Sequence, residues 1–309
     1  IILDHRHLEL AYENQCLLIR HPEQATRSLP LKHVRKVICL HSVQLSTALL
    51  GQLWRRGIDF INLNNRYSQC SFGLYPKQQQ QLQRRCWQYH WQQDEQACLA
   101  LAQRLCLHRI RHTLSLLNHI EQPALVQQLI SAQNNIGNSQ DLAQLRGIEG
   151  SSQRLVFEYW RQQLPSSLGF LKRQRRPPKD PVNAVLSLTS TLILHEAIRQ
   201  CTAFGLDPEL GFYHRMVPGR ASLACDLMET VRPYLEHWVM QLFLQKQLDK
   251  RHFTGLNNPN TACLLSKSGR AIFYPLFQAN HHAWQAQLKL NARWVCWHLQ
   301  QAEQQLGAH

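Results

Sequence analysis

No apolar run in this sequence approaches the roughly 18 residues that a membrane-spanning helix requires, and no charged-then-apolar leader opens the chain. Both absences lead to the expectation of a soluble, cytoplasmic protein. Paired cysteines are missing too. The ten that occur are scattered singly with no C-x-x-C, and 309 residues with 44% hydrophobic content bury a core without crosslinks. Reduced thiols are expected. There is no glycine-rich phosphate loop and no serine or cysteine nucleophile arrangement, so neither ATP chemistry nor covalent catalysis through those side chains is implied. Acidic residues are scarce: 20 Asp+Glu stand against 34 Lys+Arg, a formal charge of +14. That excess selects polyanions as partners, nucleic acid first and an anionic membrane surface second. The chain opens on Ile1 in place of Met, as a domain cut from a longer polypeptide would.

What is present falls into two compositional halves. Alternating Leu8, Leu10 and Tyr12, a polar turn at Glu13-Asn14-Gln15 and the return run Cys16-Leu17-Leu18-Ile19 predict a hairpin. A strand region follows from Leu29 to Leu40. Ser46 then caps a short helix whose Leu49, Leu50, Leu53 and Trp54 face inward and which Gly57 stops. Ile58 to Leu63, a turn at Asn64-Asn65 and Tyr67 to Leu74 complete a mainly-β domain over residues 1–76. From Pro76 onward strand signals vanish and helical spacing takes over, with the tract Lys77-Gln78-Gln79-Gln80-Gln81 as a solvated first turn. The expected fold class is therefore α+β: a small N-terminal mainly-β domain, then a larger all-α-helical domain over 77–309. Within the latter, Asn138 or Ser139 opens a helix to about Gln163. A basic loop follows from Lys172 to Lys179. Asp180 and Pro181 start a nearly apolar helix that ends at Gly205 and forms the buried centre of the bundle. Further helices begin after 222 and after about 275, with Asn257-Asn258-Pro259-Asn260 as a loop between them.

In the helix from 139 to 163, Glu149 occupies a position on the inward stripe Leu142, Leu145, Ser152, Val156, Tyr159 where an apolar residue is expected. Gly147 and Gly150 flank it. A carboxylate carried into a core costs several kcal/mol unless paired, so this local failure of the pattern marks either a functional site or a buried ion pair with an arginine. Further on, a loop carries His214. Beyond it Ser222 reads as an N-cap from which Asp226 and Glu229 fall at i and i+3 on one helix face, near the positive end of the helix dipole. An inward Glu, a loop His and an acid pair suit a divalent ion that prefers oxygen and tolerates one imidazole, so Mg2+ or Mn2+ fits better than zinc. His108-Arg109-Ile110-Arg111-His112 lacks the Glu of H-E-x-x-H and reads as part of the basic surface. His195-Glu196 and His281-His282 read as ordinary.

These residues resemble one known family. Arg146-Gly147-Ile148-Glu149-Gly150 followed by Tyr159, then Arg175-Arg176-Pro177-Pro178-Lys179-Asp180-Pro181-Val182-Asn183, then Gly211-Phe212-Tyr213-His214, then Ser222 to Glu229 with Arg232-Pro233, are similar in order and spacing to the CRISPR-associated integrase of spacer acquisition, the Cas-one family. The resemblance spans most of the chain, including a β domain from Leu29 to Tyr75. It implies a metal-dependent DNA endonuclease and integrase that inserts short DNA spacers into a repeat array by 3′-OH transesterification. It also implies metal ligands at Glu149, His214 and Glu229, with Asp226 close by and functionally important. His214 is left as ligand or as proton carrier to the leaving oxygen. Lys172, Arg173, Arg175 and Arg176, with Arg215 and Arg220, are expected to hold the DNA backbone without reading bases. The implied partners are prespacer and CRISPR-repeat DNA, a second copy in a homodimer, a small Cas-two adaptation protein, and a fused or associated reverse transcriptase. Leu188-Thr189-Ser190 departs from the tyrosines expected after the Asp-Pro-x-Asn motif. A transposon-type integrase of the same fold and a catalytically silent nucleic-acid-binding subunit remain as alternatives.

Overall fold

A computed structural model describes residues 1–63, 71–76, 82–117, 122–175, 177–256 and 261–306, with side chains as far as 301. The Asn64-Asn65 turn, the start of the strand at Tyr67, the tract 77–81, Arg176 and the loop 257–260 lie outside the described residues. The chain forms two compact units, Ile1–Gln80 and Gln81–His309.

The first unit contains two four-stranded sheets. β2 (Glu9–Glu13), β3 (Cys16–His21) and β4 (Gln24–Pro30) run antiparallel, with β6 (Gln44–Leu45) alongside β2. Glu13 pairs with Cys16, and both turn residues take positive φ, Asn14 at 46° and Gln15 at 62°. This is the two-residue turn whose twist suits a tight hairpin. β1 (Ile2–Leu3), β5 (Lys36–Cys39) and β7 (Asp59–Asn62) run parallel, with β8 (Phe72–Leu74) antiparallel at the edge. α1 (Thr47–Arg55) is capped by Ser46, whose Oγ accepts from the Leu49 amide at 3.2 Å, and Gly57 takes the left-handed conformation just past its end. Leu49 and Leu53 are fully buried against Leu10, Leu17 and Val37. Trp54 departs from its inward placement: it is 42% exposed, because the buried face of this short helix is filled by the two leucines.

The second unit is a helical bundle of α2 (Leu82–Gln92), α3 (Glu95–Leu117), α4 (Pro123–Gly137), α5 (Leu142–Gln163), α6 (Pro181–Ala203), α7 (Ser222–Met228), α8 (Arg232–Leu244) and α9 (Lys267–Leu306). α6 is the central element, buried along Val182, Val185, Leu186, Leu192 and Ile193. It begins as its sequence predicts, with Pro181 in the first turn and Asp180 Oδ1 accepting from the Asn183 amide at 2.8 Å. Three boundaries differ from the sequence reading. α5 is capped by Asp141, whose Oδ1 accepts from the Gln144 amide at 2.8 Å, whereas Asn138 ends α4. The last helix begins at Lys267 and carries Pro275 inside it. The unit is also not wholly helical, since β9 (Phe253–Thr254) and β10 (Leu264–Leu265) form an antiparallel pair too short to leave a periodic signature. No helix among the described residues is long and apolar enough to cross a membrane. The described cysteines are free thiols.

One buried histidine gives this unit a pH signature. His298 on α9 is packed by Trp91, Trp294 and Trp297, and its Nε2 accepts from Arg104 Nη1 at 2.8 Å. Burial and the adjacent guanidinium push it down to about 4. The folded state therefore binds the proton less readily than the unfolded chain, for which a histidine titrates near about 6.5. The stability contributed by the neutral ring is complete above that value and is lost as pH falls towards 4. His298→Gln, whose amide accepts from Arg104 without titrating, is expected to lose less melting temperature than the wild type between pH 7 and 4. Parallel losses in the two proteins would refute the assignment.

Candidate functional site

α5 delivers Glu149 on a face whose other inward residues, Leu145, Ser152, Val156 and Tyr159, are buried. The Glu149 side chain keeps 20% of its surface exposed. A Cβ on Gly147 or Gly150 would meet nothing within 4 Å among the described residues.

The histidine loop is organised by Asp226. This carboxylate is fully buried. Its Oδ2 accepts from the amides of Phe212 at 2.7 Å and Tyr213 at 3.0 Å, and its Oδ1 accepts from the His214 amide at 3.0 Å and lies 2.6 Å from His214 Nδ1. A charged acceptor of several backbone donors is strong and directional, and here it replaces regular secondary structure in fixing the loop. Close approach is needed on the other side as well. A Cβ on Gly211 would stand 2.8 Å from Ser222 Cβ and 2.9 Å from Asp226 Oδ2, so only glycine fits. With Nδ1 committed to Asp226, the imidazole presents Nε2 to Glu229, 3.6 Å from its Oε1.

Glu229 is 2% exposed and sits at the C-cap of α7. The expectation of a Ser222 N-cap and a favourable helix dipole is corrected here. Ser222 lies inside the helix and donates to the Arg215 carbonyl at 3.0 Å, while Glu229 follows the last turn, at the negative end. Arginines supply the compensation instead. Arg232 Nε donates to Glu229 Oε1 at 2.7 Å, and Arg109 Nη1 pairs with Glu229 Oε2. The same Nη1 lies 2.5 Å from Glu149 Oε1, and Nη2 pairs with Gln153 and approaches Glu236 Oε1 at 3.8 Å. Burial alone would raise the Glu229 carboxyl, but Arg109 and Arg232, with His214, outweigh it and hold the group well below the usual carboxylate range. Burial would likewise lower Arg109, and Glu229, Glu149 and Glu236 reverse that effect.

Arg109, expected on the basic surface, is instead the centre of the site. Its signal was available in sequence: Ala102, Leu105 and Cys106 precede it on the buried face of α3, so a cation occupies an apolar position there as Glu149 does on α5. Its neighbour His112 turns to Thr230, with Nδ1 2.9 Å from that carbonyl oxygen. The basic loop divides. Lys172 and Arg175 are exposed. Arg173 folds back, donating to Gln174 O at 3.0 Å, Asn183 Oδ1 at 2.9 Å and Ser187 Oγ at 3.2 Å, and burial with the adjacent Arg175 pushes it down to about 10. Arg173 is thus a structural brace at the start of α6. Arg175 is exposed as a residue, yet its guanidinium is partly shielded from water, and that shielding with the nearby Arg232 lowers it. Arg215 is exposed and Arg220 half-buried.

Glu149, Glu229 and His214 Nε2 supply two carboxylates and an imidazole oriented by a further carboxylate, the donor types that Mg2+ or Mn2+ take. The donor chemistry fits, yet the Arg109 guanidinium lies between the two glutamates. Among the described residues no group of three His, Cys, Asp or Glu is close enough to hold a metal ion.

Comparison with known proteins follows the same lines. The family model described as CRISPR associated protein Cas1 matches residues 1–279. The CRISPR-associated endonuclease Cas1 1 of Thermodesulfovibrio yellowstonii is 31% identical over 287 residues, covering 90% of each chain. Among solved structures, a casposase bound to integration product superposes with a TM-score of 0.81 at 17% identity, over 96% of this chain and 90% of that one. A chain of a Cas6-RT-Cas1–Cas2 complex superposes with a TM-score of 0.84 at 20% identity, over 97% of this chain and 35% of that one. At these identities the structures speak to the fold.

The role of Asp226 is open to a direct check. Asp226→Asn turns one acceptor oxygen into an NH2 group facing backbone N–H donors, which costs roughly 2 to 3 kcal/mol in urea denaturation. Limited proteolysis should then cut between residues 214 and 220 faster than in the wild type. Unchanged stability and cleavage would show that the loop holds itself.

Proposed function

This chain belongs to the CRISPR-associated protein Cas1 family, and we propose that it is a divalent-metal-dependent DNA endonuclease and integrase that inserts short DNA into a repeat array. The observation that carries this reading is that Glu149 from α5 and Glu229 from the end of α7 share Arg109 Nη1, while His214 Nε2 lies 3.6 Å from Glu229 and Asp226 fixes the imidazole. Glu149, Glu229 and His214 Nε2 would hold Mg2+ or Mn2+, which when bound polarises a phosphoryl oxygen and stabilises the charge that develops as a 3′-OH attacks. Asp226 holds His214 Nδ1, which leaves Nε2 directed towards Glu229 as the donor for the ion. Arg232 balances the buried Glu229. Lys172, Arg175 and Arg215 supply exposed positive charge for the DNA backbone, contacts that position the duplex without reading its sequence.

The likeness to a chain of a Cas6-RT-Cas1–Cas2 complex supports a small Cas-two partner and an associated reverse transcriptase for this protein as well; a homodimer is proposed alongside them on the family resemblance alone. A second reading, a transposon-type integrase, is favoured by the similarity to the casposase. Repeat-bearing target DNA and dependence on the small partner separate the two.

The test is strand transfer of a labelled short duplex into a supercoiled repeat-bearing plasmid, with and without the partner protein and Mn2+. Glu149→Gln and His214→Ala are expected to lower transfer by at least about a hundredfold, the scale of a lost transition-state interaction, while leaving duplex affinity within about threefold. Replacing Lys172 and Arg175 together by Ala is expected to weaken binding to all sequences alike and to reduce the salt slope by about 2. Metal-independent transfer, or full activity of either site variant, would overturn the site. Salt-dependent binding with no product under any metal would leave a silent DNA-binding subunit.

A further inference from the structure

Arg109 is the least explained residue of the site. It is 8% exposed, and three carboxylates surround it: Glu149 from α5, Glu229 from the end of α7 and Glu236 from α8. One end of the guanidinium, Nη1, serves Glu149 and Glu229 together, while the other, Nη2, faces Gln153 and Glu236. Gln153 Nε2 in turn donates to Glu236 Oε2 at 2.9 Å, so Gln153 and Glu236 form a preassembled receiver on the far side of the fork.

The electrostatics require something between the two glutamates. A buried carboxylate beside a half-buried one repels it, and without a counter-charge one of them would take up a proton or the cleft would open. Nη1 meets that need on Glu149 Oε1 and Glu229 Oε2, oxygens of the two carboxylates that would hold a divalent ion. Both cations cannot hold those oxygens at once. The structure also offers the guanidinium somewhere to go, because rotating the fork towards Gln153 and Glu236 keeps it paired while freeing Glu149 and Glu229.

We propose that Arg109 is a built-in stand-in for the metal: it holds Glu149 and Glu229 together in the metal-free protein, competes with the incoming divalent ion for them, and withdraws to Gln153 and Glu236 when the ion binds. This rests on the metal reading given above. Arg109 is accordingly a positioning residue and a gate on metal occupancy. The protein stays folded and weakly loaded until metal is abundant, or until bound DNA adds phosphate oxygens that favour the ion.

The experiment measures Mn2+ binding to the intact protein by calorimetry, and melting temperature with and without Mn2+, for the wild type, Arg109→Gln, Arg109→Lys, Glu236→Gln and Glu149→Gln. Arg109→Gln is expected to bind Mn2+ at least tenfold tighter, to melt lower without metal, and to gain more from Mn2+ than the wild type does. Arg109→Lys keeps the charge but cannot bridge both sides, so its affinity should fall between the two; a gain there reports lost bridging and not a lost positive field. Glu236→Gln removes the receiver and should weaken Mn2+ binding at least threefold. Affinities of both Arg109 variants equal to or weaker than wild type, or unchanged or tighter binding by Glu236→Gln, would overturn the proposal while leaving the metal site intact. Mn2+ binding that Glu149→Gln does not diminish would remove the metal reading and this inference with it. Should Arg109→Gln not fold without metal, the lysine and Glu236 variants decide the matter.

Discussion

The helical unit depends on neutralising charge inside a core. Glu229, Asp226 and Arg109 are buried on elements that are otherwise apolar, and any one of them alone would cost several kcal/mol. They are tolerable only as a set. Asp226 is met by backbone amides and an imidazole, whereas Glu229 and Glu149 are met by guanidinium groups. Each carboxylate therefore has a different kind of partner, and the partner sets its task. The one bound by amides shapes a loop, and those bound by movable side chains are available for exchange.

The fold serves this arrangement by bringing distant segments together. Glu149, His214, Glu229 and Arg109 come from four separate stretches, and α6 packs against both α7 and α8 to hold the cluster's floor. A helix buried on nearly every face, as α6 is, leaves no freedom to slide without exposing apolar surface. The rigidity of the site thus rests on a helix that contributes none of the site's charged groups.

Much of this could be read from the chain because local chemistry announces itself. The Asn14-Gln15 turn, the Ser46 cap and the Asp180-Pro181 start all appear where their side chains put them. Glu149 was visible as a carboxylate out of place on an apolar stripe. Arg109 carried the same kind of signal, masked by Arg111 and the flanking histidines that suggested a basic surface. Ser222 misled because the helix starts at Ser222 itself, with Ala221 as its N-cap, and the hydroxyl donates to the Arg215 carbonyl. Arg173 misled because a run of basic residues does not reveal which guanidinium turns inward. In both cases the outcome was decided by a partner at a distance that no local pattern encodes.

The Asp226 anchor has one further consequence. Its grip on the backbone ends at His214, and the chain is tied down again where the Leu223 and Ala224 amides donate to the Pro208 carbonyl. Between these fixed points Met216, Val217, Pro218 and Gly219 are exposed, with Gly219 in the left-handed conformation. The tip is mechanically uncoupled from the imidazole a few residues away. It offers a place where length and chemistry can drift between relatives, or where a spectroscopic label can be carried, without the histidine registering the change.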